Sequence, residues 1–211
     1  MKKITLIFVL CCLMVVSSWA AKKVDICKAN EAGYIKQLSQ KGLSNGSVFG
    51  LGQNDGFQLL RSRTDFNGVT HVHYQQTYKG IPVWGMQTVI SKNKSDKVLK
   101  LHGNVMQGIA KDLAGIPAEL DPAGALDRMK NEIMKTDAPE NWDIRNEKSC
   151  TYIYVDGKGK AHLTYMVSFF ADHEEGEPSR MVYFIDVKSG KIIYSYENLQ
   201  YANGTGPGGN L

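Results

Sequence analysis

The sequence predicts an α+β fold of two similar modules, each an antiparallel meander sheet packed with one helix, after a cleaved signal peptide. Three observations carry this. Runs rich in β-branched and aromatic residues fall into two groups of four, joined by short turns bearing Asn, Asp and Gly. One stretch with apolar residues at helical spacing precedes each group. The chain opens on two lysines, an apolar run and a small-residue exit, the order of an export leader.

Lys2 and Lys3 lead an apolar core, 4–16, that ends on Ser18-Trp19-Ala20. This core is shorter than the roughly 20 residues a membrane span needs. Residues 1–20 are therefore expected to be cut off after Ala20, placing a bacterial protein in the periplasm or outside the cell with no membrane attachment. Leu10 precedes Cys11 where lipid attachment wants a small residue, which argues against an anchor on Cys11 or Cys12.

Ile26, Tyr34, Ile35 and Leu38 mark a short amphipathic helix within 24–40, and Gly42, Asn45, Gly46, Gly50 and Gly52 mark a loop. Strands are expected at 57–64, 69–78, 81–92 and 97–106, with turns at 65–68, 79–80 and 93–96. Between 108 and 122 the composition shifts to Ala, Gly, Pro and Leu. That shift divides the chain into a module at 21–108, a linker at 109–120 and a module at 121–199, with 200–211 as a trailing segment. Asp121 caps a second helix with Pro122 in its first turn. Ala125, Leu126, Met129, Ile133 and Met134 carry this helix to about residue 135. Strands follow at 149–156, 160–172, 180–187 and 191–198, around tight turns at 157–159 and 188–190 and a polar loop at 173–179.

Without Lys2 and Lys3, 23 basic residues face 21 acidic ones. No stretch concentrates Lys and Arg with aromatics, so a nucleic-acid surface is not expected. Cys27 and Cys150 remain after export, and two readings stay open: one disulfide between them, or two separate buried thiols. Asn45, Asn93 and Asn203 begin sequons that are inert in a bacterium.

No catalytic constellation emerges. His71 and His73 share one face of a strand, a spacing two metal ligands could use, but no third ligand accompanies them. They read as polar-face residues. His173-Glu174-Glu175 lacks the second histidine of a zinc helix, since position 177 is Glu, and Gly176 and Pro178 make a loop. Cys150 opens a strand with no activating base. Trp84 and the tyrosines read as core and interface packing. Neither a catalytic residue nor a metal or other cofactor is expected in this chain.

The blocks Thr70-His71-Val72, Tyr74-Gln75-Gln76, Tyr78-Lys79-Gly80-Ile81-Pro82-Val83-Trp84-Gly85 and Gly103-Asn104 resemble the FTP domain, the first pro-segment module of secreted thermolysin-like and fungalysin-like metalloproteases. LTYMV (163–167) and FIDVKSGKII (184–193) resemble the PepSY domain that follows it, and GTGPGGN (204–210) resembles the glycine-rich opening of the mature enzyme in the vibriolysin and pseudolysin branch. The likeness covers about residues 55–210. Gln76, Gly80, Pro82, Val83, Gly85, Asp186 and Gly190 fall on its motifs.

The resemblance implies a non-catalytic prodomain, chaperone and inhibitor of a zinc metalloendopeptidase domain that begins near the glycine tract. Zinc and calcium would belong to that domain, the expected partner. By the same resemblance Asn198, Leu199, Gln200 and Tyr201 form the inhibitory segment. Self-cleavage falls at Tyr201–Ala202, or a few residues earlier at Asn198–Leu199, where a bulkier residue follows the bond. The alternatives are a stand-alone secreted PepSY-type protein that restrains another protease, and an unrelated α+β binding protein.

Overall fold

The computed structural model describes residues 21–41, 43, 46–113, 121–136, 139–173 and 176–199. The expected leader at 1–20, most of the linker, the bond Tyr201–Ala202 with Gln200, and the glycine tract lie outside the described residues. Strand β1 (Lys22–Asp25), which the sequence did not announce, pairs antiparallel with β5 (Val98–Gln107). It runs into helix α1 (Ile26–Lys41). Asp25 caps the first turn, its Oδ1 accepting from the Lys28 N–H at 3.1 Å. Asn30 leaves helical geometry and caps the next segment through the Gly33 N–H at 3.2 Å. The expected single helix is thus two short ones across a kink.

Strands β2 (Asp55–Thr64), β3 (Thr70–Tyr78), β4 (Ile81–Lys92) and β5 form the first antiparallel meander. Its turns follow from side-chain chemistry. Asp65 Oδ1 accepts from the N–H groups of Asn67 and Val69, both at 2.9 Å. Asn93 Oδ1 does the same for Ser95 and Lys97, at 3.0 and 2.9 Å. Helix α1 covers one face, burying Ile26 and Leu38 on Ile90, Leu101 and Val105. Edge-to-face rings continue that core from Tyr34 to Phe49 (5.1 Å), Phe57 (5.8 Å) and Tyr74 (6.3 Å).

Helix α2 (Pro122–Ile133) starts as expected, with Asp121 Oδ1 accepting from the Gly124 N–H at 2.7 Å. The second meander is β6 (Trp142–Val155), β7 (Ala161–His173), β8 (Met181–Asp186) and β9 (Ile192–Glu197). Ala125 and Met129 of α2 pack on Val167, Phe169 and Ile185. Strand β6 begins at Trp142 rather than 149, because a bulge between Arg145 and Lys148, with Asn146 at φ 54°, breaks the alternation that marks a strand.

The two meanders do not stand apart. Val83 of β4 pairs in parallel with Ile153 of β6, so the nine strands among the described residues belong to one sheet. Val83, Ile153, Tyr78, Met106, Ala161 and Ile109 fill the joint. Ile109, assigned from sequence to the linker, is fully buried there. Two hydrogen bonds tie the same region: Ala21 N–H to the Gly159 carbonyl (2.7 Å) and Ala161 N–H to Asp112 Oδ2 (2.8 Å).

Cys27 and Cys150 are both free and half-buried, so the disulfide reading does not hold in this structure. The physical reason is placement. Cys27 stands in α1, its thiol 3.8 Å from Glu31 Oε2, whereas Cys150 packs against Met166, Val182 and Phe184 on the second meander.

Candidate functional site

The sequence block around 76–85 builds the joint. Strand β4 pairs with β3 at Pro82 and again at Gln87, and between them Val83, Trp84, Gly85 and Met86 leave the ladder. The excursion strips carbonyls of their partners, and a buried unpaired backbone group is costly. Gln75 answers this: its Nε2 donates to the carbonyls of Val83 (2.6 Å) and Met86 (3.0 Å). Gln76, fully buried, replaces the missing strand for β5. Its Oε1 accepts from the Met106 N–H and its Nε2 donates to the Met106 carbonyl, both at 2.8 Å. Gln76 Nε2 also reaches Asp55 Oδ1 at 3.1 Å. Burial pushes the Asp55 carboxyl above its ordinary range, against the pull of Gln76 and the Gly52 N–H. Gly85 sits at φ 71°, a left-handed conformation that turns the excursion back into the strand.

What the excursion delivers is Trp84. Its ring lies 5.1 Å from Tyr152 and 4.9 Å from Phe184, on the face of the second meander opposite α2. Tyr154 meets Phe184 at 4.9 Å and stacks on Tyr194 at 5.4 Å, and Tyr194 meets Tyr196 at 5.8 Å. These rings roof Met166, Val182 and Phe184. Burial pushes the phenols of Tyr152, Tyr154 and Tyr196 up.

Strand β9 ends the sheet and sets how the chain leaves it. Glu197 Oε1 accepts from the N–H groups of Arg180 (2.8 Å) and Leu199 (2.7 Å), and the Asn198 N–H donates to the Arg180 carbonyl at 3.0 Å. Asn198 is thus held to Arg180 just before β8 and Leu199 to the end of β9, and Gln200 and Tyr201 follow outside the described residues. The turn feeding β9 is fixed by Asp186, whose Oδ1 accepts from the Ser189 N–H (2.7 Å) and hydroxyl (2.8 Å), and by the Gly190 N–H on the Asp186 carbonyl (2.8 Å). His162 lies between two carboxylates, Nδ1 3.1 Å from Asp186 Oδ2 and Nε2 3.1 Å from Asp156 Oδ2. Burial pushes both acids up, but their hydrogen bonds outweigh it and hold both below the ordinary carboxylate range.

Residues 55–105 match the Fungalysin/Thermolysin Propeptide Motif. The chain carries a metalloprotease propeptide motif. It is 30% identical over 157 residues to the hemagglutinin/proteinase of Vibrio cholerae serotype O1, covering 74% of this chain and 25% of that protein. It is 31% identical over 158 residues to the neutral protease of Vibrio proteolyticus, covering 74% and 26%. With the zinc metalloproteinase of Legionella pneumophila it shares 31% over 185 residues, covering 82% and 33%. The chain therefore spans a quarter to a third of these relatives. Among solved structures, the Bacillus megaterium YpeB C-terminal domain aligns at a TM-score of 0.27 and 13% identity over 79% of this chain and 64% of that one, a likeness too loose to carry an argument.

The propeptide motif spans β2 to β5 nearly whole. Within it Val83 fills the joint, and Gln76 and Gly85 shape the excursion that delivers it. Pro82 pairs with Thr77 just before the excursion, and Gly80 lies in the turn between β3 and β4. Asp186 and Gly190 lie beyond it, at the turn before β9. His71 is engaged by Ser91 (3.0 Å) and Asp65 (3.2 Å), and His73 is held below its ordinary range by burial, then by Arg61 and His71. Among the described residues no group of three or more His, Cys, Asp or Glu could hold a metal, and no helix is long and apolar enough to cross a membrane. His173 ends β7 with its ring 4.7 Å from Trp142, while Glu174 and Glu175 lie outside the described residues. Sequence reasoning missed Glu197 and Asp55. The only trace of the latter was a Gln-Gln pair amid strand residues, one of which had to point inward.

Proposed function

We propose that this chain is the prodomain of an exported bacterial zinc metalloendopeptidase precursor, acting first as chaperone and then as inhibitor of the catalytic domain. The modules 21–108 and 121–199 form the working body, the second of PepSY type, and the leader 1–20 directs export. The observation that carries the reading is the propeptide motif, joined to a final strand whose exit is fixed by Glu197.

A large protease has many long-range contacts to make before any is rewarded. A prefolded partner that binds the native-like form stabilises it over the unfolded one by mass action. After folding, β9 leads Asn198 to Tyr201 into the active-site cleft and blocks it. Cleavage at Tyr201–Ala202 or nearby frees the enzyme, and the glycines of 204–209 let the severed ends part. Zinc and calcium reside in the catalytic domain.

The test is refolding of the denatured mature protease with and without residues 21–201. Activity should return only with them, and added prodomain should inhibit the native enzyme. Equal recovery without the prodomain removes the chaperone role. A reading frame that lacks His-Glu-x-x-His downstream favours a stand-alone PepSY-type binding protein instead.

A further inference from the structure

We infer that the aromatic face of the second meander is where the catalytic domain docks, through an apolar knob bordered by carboxylates. The inference rests on the prodomain reading and gives it a surface. Strands β6 to β9 carry α2 on one face, and among the described residues the other bears Trp84, Tyr152, Tyr154, Tyr194 and Tyr196. Of these rings Tyr194 is exposed and the other four are partly exposed, a contiguous aromatic surface of the kind that marks interaction sites. Tyr194 stays 44% exposed although its neighbours Phe184 and Val182 are buried.

Three features choose the occupant. A notch of roughly 660 Å³ opens at one side of the face, walled by Trp84, Met86, Met106, Tyr154 and Tyr194, large enough for an inserted side chain. Lys23 and Lys158 also line it, while its one acid, Asp156, is already engaged by His162 and its own turn. The free charge of the notch is therefore positive and suits carboxylates on the partner. Finally, Tyr194 and Tyr196 lie on β9, the strand that Glu197 directs out of the sheet. Whatever follows Leu199 leaves from the border of this face, so the domain tethered there meets it at high effective concentration.

The test measures inhibition of the mature protease by residues 21–201 carrying Tyr194→Ser, Tyr152→Ser, both together or Lys158→Glu, with Leu60→Ser on the distant β2 as control. Each aromatic variant should weaken inhibition about tenfold and the charge reversal several-fold, as truncated interface anchors do. Thermal unfolding should be unchanged for Tyr194→Ser, and the control should inhibit like the parent. If the double tyrosine variant inhibits as well as the parent, the face is wrong while the prodomain reading stands. Should the parent itself fail to inhibit, the reading falls and the docking face with it. A dimer of 21–201 in sedimentation that Tyr194→Ser dissociates would assign the face to a second copy and overturn the inference.

Discussion

Gln76 on β3 grips the backbone of Met106 on β5 through two hydrogen bonds of 2.8 Å, doing with a side chain what β4 does elsewhere along that strand. The register that pairs Thr88 with Gly103 would, if continued, set Met106 against Gly85, which has left the ladder. The amide fills a gap that the excursion opens.

Gln76→Leu should therefore leave the Met106 N–H and carbonyl unpaired inside the protein. Buried polar groups left alone cost about 1–3 kcal/mol each, so chemical denaturation should show a loss of roughly 3 kcal/mol. A loss below about 1 kcal/mol would show that the amide is dispensable.

Two glycines of the propeptide motif should respond differently to alanine. At Gly103, φ 108°, a Cβ would sit 2.0 Å from the Gln87 carbonyl oxygen, a backbone atom with nowhere to go. Gly103→Ala should fail to fold or melt far below the parent. At Gly85, φ 71°, nothing lies within 4 Å, so only backbone strain remains, about 1 kcal/mol. Equal melting temperatures for the two variants would refute this contrast.

Acid should weaken the turn between β6 and β7, which Asp156 holds, and the turn before β9, which Asp186 holds. Asp156 and Asp186 both have folded-state pKa values below their unfolded ones. Their contribution is fully present above about pH 4, where the unfolded carboxylates are ionised, and is lost as pH falls through the folded values. Asp55 has the opposite sign: its raised pKa favours the folded state at low pH and loses that advantage as pH rises. Stability of Asp186→Asn should be lower at pH 7 and fall less steeply below pH 4. A parallel curve would remove Asp186 from the acid response.

Glu197→Gln keeps an oxygen for the Arg180 and Leu199 N–H groups, whereas Glu197→Ala removes it. The alanine variant should inhibit the protease several-fold less well at nearly unchanged melting temperature, and the glutamine variant should match the parent. Inhibition by the alanine variant at parental strength would show that the exit needs no fixing.

Much of this fold was legible because its signals are local. Asp65, Asn93 and Asp156 announce hairpins by bonding their own turns, and Asp121-Pro122 announces a helix. Strand β1 was not, since only Val24 in its four residues is buried. The front of β6 was hidden by the bulge at Asn146, and the break in α1 by an asparagine that reads as ordinary helix. The joint was invisible for another reason: Val83 and Ile153 meet only in three dimensions, and no period in either segment encodes the other. The resemblance marked Gln76, Val83 and Gly85 as a motif, but their task showed only once β4 was seen to serve two neighbours.

That shared strand restricts how such a protein can be rebuilt. Because one short detour in β4 seats a residue beside Ile153 and another over Phe184, the halves are not interchangeable parts. A lineage that swapped the front half for a foreign one would open a hole in the rear, so wherever the detour is kept the two must be inherited together.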